Sequence, residues 1–432
     1  MNHPLAASRY LRQEVRGLLA RLDKVRPFSL TMPTVTGAAV PKPAWTAIES
    51  HLARERQKLR QRLRSFMRWL AGPNGRRVSP QNQQRHLTLL RLQFNATLDQ
   101  LDIFADVLTQ RAEHETGVWL AGLDTVAAEA LSLSGRYFES PPLVTYLDRG
   151  HGAAIRRART RLPGGPKNPV GIVRVPRERM IGGCGIGSSL AHEVGHQGSA
   201  LLDLVRSLRE VLRGRMQKAG PQKPIWEILD RWISEICADY WALSKMGVAA
   251  TLGLIGVVSL PRAFVFRINL DDPHPFPWIR VKLSCAMGQA LYPDSQWGGL
   301  ARLWNSLYPT SGLTPVKQRF IQLLEATLPA FVKLLINHRP KSLRGRSLRE
   351  VMPVGQRQPM RLRALLRAWL QRPQNVHLPS PTLAFAVIGQ GRADHSIAPE
   401  HESQLLARFL ESWALNGVLG PETSRRLLSR SA

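Results

Sequence analysis

Residues 188–201 read SSLAHEVGHQGSAL, and the two serines can cap a helix that we predict from Leu190 to about residue 212. His192 and His196 lie four residues apart, so one face of this helix presents both imidazoles. Two imidazoles at that spacing can bind one metal ion, and Glu193 beside them can reach a water molecule on that ion. The pattern predicts a catalytic zinc site with one Zn2+ per chain.

A catalytic zinc ion needs a third protein ligand and one position open to water. We expect this ligand on a second helix, predicted from Pro224 to Met246, where Glu235 and Asp239 lie one turn apart on the same face. Glu235 is the predicted third ligand. Asp239 is predicted to accept the second ring N–H of His192 and so to set its tautomer.

Other ligand sets are less favoured by the sequence. Glu227 and Asp230 lie earlier on the same predicted helix, but neither has an acidic residue one turn later. A metzincin pattern is excluded, because Ser199 and Leu202 stand where it needs glycine and a further ligand. The remaining alternative is that Glu235 is a surface carboxylate of an amphipathic helix.

The two motifs together, HEVGH at 192–196 and EICAD at 235–239, resemble the gluzincin clan of zinc metallopeptidases, of which thermolysin is the familiar member. The resemblance covers about 110 residues, from the strand near Gly171 to Arg280. It implies a zincin-like core with a small sheet and two helices that carry the zinc ligands. It also implies hydrolysis of a protein or peptide substrate, with Glu193 as the general base.

Residues 271–280 read DDPHPFPWIR, which predicts a stiff loop because proline flanks His274 on both sides. In several gluzincin families a His, Tyr or Arg that follows the zinc helices stabilises the oxyanion of the tetrahedral intermediate. The resemblance assigns this catalytic role to His274, with Arg280 and Tyr240 as further oxyanion or substrate candidates. An ordinary polar loop is the alternative.

A short β-branched run, Gly171–Val175, lies upstream of the zinc motif. We expect it to be the edge strand on which zincins align an extended peptide by main-chain pairing. Arg174, together with Arg177 and Arg179, would make that groove basic and favour acidic substrate flanks. A solvated strand end is the alternative.

The fold class predicted for the whole chain is α+β and predominantly helical, because apolar residues recur every three or four positions over most of its length. We predict a basic helical region at 1–133, a zincin-like metallopeptidase domain at 134–314 and a basic helical region at 315–432. The predicted sheet uses 143–147 and 171–175. The predicted flanking helices are 45–70, one or two between 80 and 131, 317–336, 362–370 and 402–415.

The chain carries 60 Lys plus Arg against 31 Asp plus Glu, a net charge of +29. The basic residues are densest at 54–77 and 333–372, so nucleic acid or an anionic membrane surface is a possible partner. An arginine-rich composition with solvated faces is the simpler reading. A different class of function also stands: a basic helical nucleic-acid-binding or scaffold protein whose zinc site is structural or vestigial.

Three scattered cysteines exclude a disulfide scaffold and favour a reducing compartment. The first 16 residues carry four charges and lack the apolar core of a secretory signal, so we expect a cytoplasmic protein. The longest uncharged stretch, Met246–Pro261, is too short to cross a bilayer, and no transmembrane segment is predicted. The sequence leaves the substrate and the oligomeric state open.

Overall fold

The structure, a computed structural model, describes residues 3–149, 152–177, 183–371 and 378–419. These residues form a predominantly helical fold with one small sheet, which confirms the predicted balance of helix and strand. The strands are β1 (Leu143–Asp148), β2 (Ala154–Arg156) and β3 (Gly171–Pro176). The helices are α1 (His3–Lys24), α2 (Lys42–Ala71), α3 (Pro73–Arg76), α4 (Pro80–Thr109), α5 (His114–Leu131), α6 (Gly183–Leu201), α7 (Leu204–Gln217), α8 (Lys223–Arg231), α9 (Ile233–Met246), α10 (Val248–Val258), α11 (Arg262–Val265), α12 (Pro277–Leu291), α13 (Ser295–Leu307), α14 (Pro315–Asn337), α15 (Leu348–Val351), α16 (Pro359–Gln371), α17 (Pro381–Ala393) and α18 (Pro399–Leu419).

The sheet has the strand order β1-β3-β2. β3 pairs in parallel with β1, Leu143 opposite Gly171, and pairs antiparallel with β2, Ile155 opposite Val173. The prediction that Gly171–Val175 is an edge strand is therefore wrong, because β3 has a neighbour on both sides. The edge on that side is β2, whose three residues are too few to show an alternating pattern in the sequence.

Two helices that the sequence predicts as continuous are each broken once. α6 ends at Leu201 and α7 begins at Leu204, because Asp203 adopts a left-handed backbone with φ of 52°. α8 ends at Arg231, and α9 begins after Trp232. Apolar periodicity continues across both breaks and therefore did not reveal them.

The start of α6 also differs from the prediction. The helix already includes Gly183, so the serines at 188 and 189 lie inside it and do not cap it. The Ser188 hydroxyl instead donates a hydrogen bond to the Ala250 carbonyl of α10, at 2.9 Å. This bond joins the motif-bearing helix to its buried neighbour.

The main hydrophobic core surrounds α6, α9 and α10 and draws side chains from Leu120 through Trp413. This core therefore contains residues of all three predicted regions, 1–133, 134–314 and 315–432. A second core joins α1, α2 and α4, and a third joins α2 and α4 to the sheet. Helices from all three predicted regions thus pack around the centre of the molecule.

Glycine lets α6 and α9 approach closely. A Cβ added at Gly195 would lie 2.8 Å from the Cβ of Trp241 and 2.9 Å from the Cα of Ala238. A Cβ at Gly198 would collide with the Trp241 indole. The backbones of the two helices are therefore closer than any side chain at these positions allows, and this contact brings 192–196 opposite 235–239.

One helix of the described ranges, α14, is long and apolar enough to cross a membrane by length and composition. Eight of its residues are buried, and it packs against α12. A core helix of a soluble protein has the same properties. Most of the uncharged stretch Met246–Pro261 forms α10, which packs against α6 and has only 11 residues.

We expect Gly195→Ala to destabilise the protein, because the added methyl group must force α6 away from α9. Overpacking of this kind costs about 1–3 kcal/mol, so the midpoint of thermal unfolding should fall by several degrees. Circular dichroism during heating measures this change. The control is Gly214→Ala on α7, where nothing lies within 4 Å of an added Cβ and alanine should be neutral or slightly stabilising. Equal melting of Gly195→Ala and the parent would contradict close packing at this contact.

Candidate metal centre

Two histidines of α6 and one glutamate of α9 lie close enough together to hold a metal ion. His192, His196 and Glu235 each offer one ligand atom, and these three atoms lie within 4.8 Å of one another. The Nε2 atoms of His192 and His196 are 3.3 and 3.4 Å from the two Glu235 carboxylate oxygens. The arrangement follows from the four-residue spacing on α6 and from the contact of α6 with α9.

The Glu235 carboxylate fits a metal ligand. The residue is 8% exposed, and its Oε2 atom is buried without a hydrogen-bond partner. A buried, unpartnered carboxylate oxygen is costly unless a cation completes its environment. Although burial raises the pKa of Glu235, the imidazoles of His192 and His196 outweigh burial and hold that pKa well below its usual range. The carboxylate is thus ionised and ready to bind a cation.

Asp239 lies behind His192, one turn after Glu235. Its Oδ1 atom is 2.8 Å from His192 Nδ1, and Arg280 donates two hydrogen bonds of 2.7 Å to its carboxylate, from Nε and Nη2. Burial raises the pKa of Asp239, but Arg280 and His192 lower it further than burial raises it. An ionised Asp239 can accept the Nδ1–H of His192 and leave Nε2 free to bind a metal.

The same contacts make His192 basic. Burial lowers the pKa of His192, but Asp239 and Glu235 outweigh it and raise the pKa to about 9. A pKa raised above 6.5 stabilises the metal-free fold at low pH, and this contribution is lost as the pH rises through about 9. A metal ligand must be a neutral imidazole, so a metal ion and this proton compete for His192.

His274 reaches the group from the loop before α12. Its Nε2 atom is 3.3 Å from Glu235 Oε2, and its Nδ1 atom is 2.8 Å from Asp272 Oδ1. Asp272 also accepts the His274 backbone N–H at 2.9 Å, so one carboxylate orients the whole residue. His274 remains half exposed, at 51% of its side-chain surface. The sequence does not identify Asp272 as a site residue, although its position two residues before His274 is typical of an Asx turn.

Arg280 also belongs to the group. The sequence predicts a loop through this residue, whereas the structure places it on a helix. α12 begins at Pro277, which places Arg280 in its first turn. Besides its two bonds to Asp239, its guanidinium lies 3.9 Å from Glu235 Oε2 and 3.4 Å from His192 Nδ1. Arg280 thus supplies the positive charge that, together with His192, keeps the buried Asp239 carboxylate ionised.

Glu193 faces a small cavity beside the histidines. The cavity has a volume of about 180 Å³ and is bordered by His192, Asp239, His274 and Arg280. The rest of its wall is mainly small or aliphatic: Gly152, Ala153, Ser188, Ser189, Ala242, Ala250, Leu254, Val257 and Ser284. The polar residues of the candidate metal centre therefore border a cavity whose remaining wall is mostly apolar.

Two residues proposed from the sequence lie elsewhere. Tyr240 has no exposed surface and packs in the main core, and it does not border the cavity at Glu193. Arg174 does not border that cavity either: it lies 3.6 Å from Asp148 and borders a separate cavity with Tyr146, and its Nη2 atom is 3.4 Å from the carbonyl oxygen of Gly152. Because Tyr240 is buried in the core, it is not in a position to contact an oxyanion. Arg177 is exposed, and Arg179 lies outside the described residues.

A distant glutamate holds the beginning of α6. Glu402 of α18 accepts the backbone N–H of Cys184 at 2.7 Å and pairs with Arg392 at 2.8 Å. A carboxylate at a helix N-terminus satisfies a free N–H and interacts favourably with the helix dipole. Since 218 residues separate Cys184 from Glu402, no local pattern could reveal this cap.

No protein-family model, curated protein or solved structure matches the chain.

We expect Asp239→Asn to weaken zinc binding about 10- to 100-fold, because the amide no longer provides a charged acceptor for the His192 ring N–H. Titration of zinc-free protein against a chelator of known affinity measures the change. Tyr240→Phe, one residue further along α9 but outside the group, is the control and should retain parental affinity. A parental affinity in Asp239→Asn would show that Asp239 does not support His192.

Zinc binding should release protons, because His192 is protonated in the metal-free protein below pH 9. At pH 7.5 we expect close to one proton per ion bound, and zinc affinity should rise with pH up to about 9. Calorimetric titration in two buffers of different ionisation enthalpy counts these protons. Binding without proton release at pH 7.5 would contradict the raised pKa.

Proposed function

We propose that the protein is a zinc-dependent peptidase with a zincin-like core. The observation that carries the proposal is the convergence of two histidines, a buried glutamate and an oriented histidine on one point, with Glu193 facing a cavity beside them. Bound zinc would supply Lewis acidity, which polarises a carbonyl oxygen and acidifies water. Two imidazoles and one carboxylate are a ligand set typical of hydrolytic zinc sites.

Glu193 is proposed as the general base. Its carboxylate can take a proton from the attacking water and return it to the leaving amine, which is the usual task of this residue in the motif. Its position on the wall of the 180 Å³ cavity supports the role, because a substrate side chain in that cavity would bring the scissile bond next to it. Since the recess is mostly apolar, it would accept a small aliphatic side chain.

His274 is proposed to stabilise the oxyanion. Asp272 orients its Nδ1 and leaves Nε2 directed at the centre, where it can donate a hydrogen bond to a developing negative charge. Arg280 is assigned a positioning role, because its two hydrogen bonds to Asp239 fix the carboxylate behind His192. The half-exposed His274 is therefore the better of the two oxyanion candidates.

The edge strand β2 offers a place for the substrate backbone. Gly152 and Ala153 border the cavity at Glu193 and lead directly into β2. An extended peptide can pair with the free side of an edge strand through main-chain hydrogen bonds. β2 thus takes the role that the sequence suggested for Gly171–Val175.

Glu193→Gln should bind zinc as the parent does but lose at least about 100-fold in kcat on a cleaved peptide, because an amide cannot accept the proton. Mass spectrometry of a peptide mixture finds a cleaved bond, and elemental analysis measures bound zinc. His274→Gln should also retain zinc and lower kcat, since it removes only the proposed oxyanion donor.

The matched control is Glu227→Gln, a half-exposed carboxylate on α8 that lies 3.8 Å from Lys223. It should leave both zinc content and turnover unchanged. Parental turnover by Glu193→Gln would rule out the proposed general base, and the absence of cleavage by zinc-loaded parent would overturn the peptidase proposal.

A binding protein is the second candidate, and the exposed basic side chains of α2 favour it. Arg54, Lys58, Arg62, Arg64 and Arg68 all lie at the surface of this helix. Exposed basic side chains of this kind can attract a polyanion by counterion release. Binding of duplex DNA that weakens steeply with salt and persists in Glu193→Gln would support this function independently of hydrolysis.

A further inference from the structure

A second, larger cavity lies against the metal centre on the side of His196. Its volume is about 590 Å³. His196 and Ser199 contribute to its wall from α6, Arg209 and Arg213 from α7, and Arg157 from the segment after β2. Ser199 follows His196 by three residues, about 4.5 Å along the helix axis, so this cavity begins immediately beside the candidate metal ligand.

The cavity has an excess of positive charge. Four arginines border it, against the carboxylates of Asp203 and Glu210. Asp203 is occupied by Arg206, which donates to it through two nitrogens. Arg157 and Arg213 form no ion pair with any carboxylate in the part of the chain that the structure describes.

The chain builds this basic wall from two directions. Arg209 and Arg213 lie four residues apart and therefore share one face of α7, which starts anew after the break at Asp203. Arg157 is held near α6 because the neighbouring Ala158 N–H donates to the buried Gln197 side chain at 2.8 Å. The arginines are thus anchored to the same helix that carries the histidines.

One buried polar atom at this wall has no protein partner. Ser199 is 2% exposed, and its hydroxyl makes no hydrogen bond. Arg209, in contrast, forms an ion pair with Asp230, with 3.9 Å between its Nε atom and the Asp230 carboxylate. A buried hydroxyl that makes no hydrogen bond suits an anionic acceptor.

We infer that this cavity is a specificity site for an acidic side chain of the peptide substrate. A glutamate or aspartate carboxylate there would meet Arg157 and Arg213 at the cavity surface and the Ser199 hydroxyl at its wall. The inference rests on the proposed peptidase function and names the substrate class: peptides with an acidic residue on the His196 side of the scissile bond. The acidic preference comes from these residues and not from Arg174.

The test uses synthetic peptides based on a cleaved sequence, in which one glutamate is moved through each position and compared with its glutamine twin. At one position the glutamate peptide should have a kcat/KM about fivefold to tenfold higher, mainly through a lower KM. Arg157→Gln/Arg213→Gln should bring this ratio close to one, mainly by raising KM for the glutamate peptide. The control is Arg319→Gln/Arg361→Gln, two exposed helix arginines that border none of the cavities described above and should leave the ratio unchanged.

A binding measurement tests this inference separately from the proposed function. Fluorescence anisotropy of the same labelled peptides on zinc-loaded Glu193→Gln should show the same preference for glutamate, weaker at high salt and absent after Arg157 and Arg213 are replaced. Cleavage with equal rates for the twins, or a preference that survives the double replacement, overturns the acidic site while the peptidase stands. Selective binding without any cleavage by the parent supports the acidic site and overturns the peptidase.

Discussion

The close contact between α6 and α9 is the constraint on which the candidate metal centre depends. Gly195 and Gly198 leave room for Ala238 and Trp241 of the neighbouring helix. The Trp241 indole N–H also donates to the Ala130 carbonyl at 2.8 Å, which joins α9 to α5. Because the histidines lie on one helix and the carboxylates on the other, the donor atoms can converge only while this contact is maintained.

The candidate metal centre also requires positive charges beside its buried carboxylates. Glu235 and Asp239 are both 8% exposed, and ionised carboxylates are stable at such depth only beside cations. Arg280 provides a permanent charge from α12, whereas His192 provides one that a metal ion can replace. Both carboxylates therefore remain ionised while His192 is protonated, and a metal ion bound by the group would take the place of that proton.

Segments far apart in the chain hold the motif-bearing helix in place. Glu402 of α18 caps its start, Ser188 binds the Ala250 carbonyl of α10, and Phe385 of α17 lies against Gly187. At the other end, the left-handed Asp203 stops α6 and lets α7 begin as a separate helix. This break allows the arginine-bearing face of α7 to lie beside the histidines, which places the basic cavity next to the metal centre.

Features that depend on neighbours within a few turns could be predicted from the sequence. These are the shared face of His192 and His196, the one-turn spacing of Glu235 and Asp239, the long flanking helices and the strands β1 and β3. Adjacency in sequence misled for Tyr240, because consecutive helical residues point about 100° apart and Tyr240 turns into the core. The strand order, the pairing of Arg280 with Asp239 and the Glu402 cap depend on long-range packing. Each of these joins segments that meet only through packing, and local sequence patterns carry no record of long-range contact.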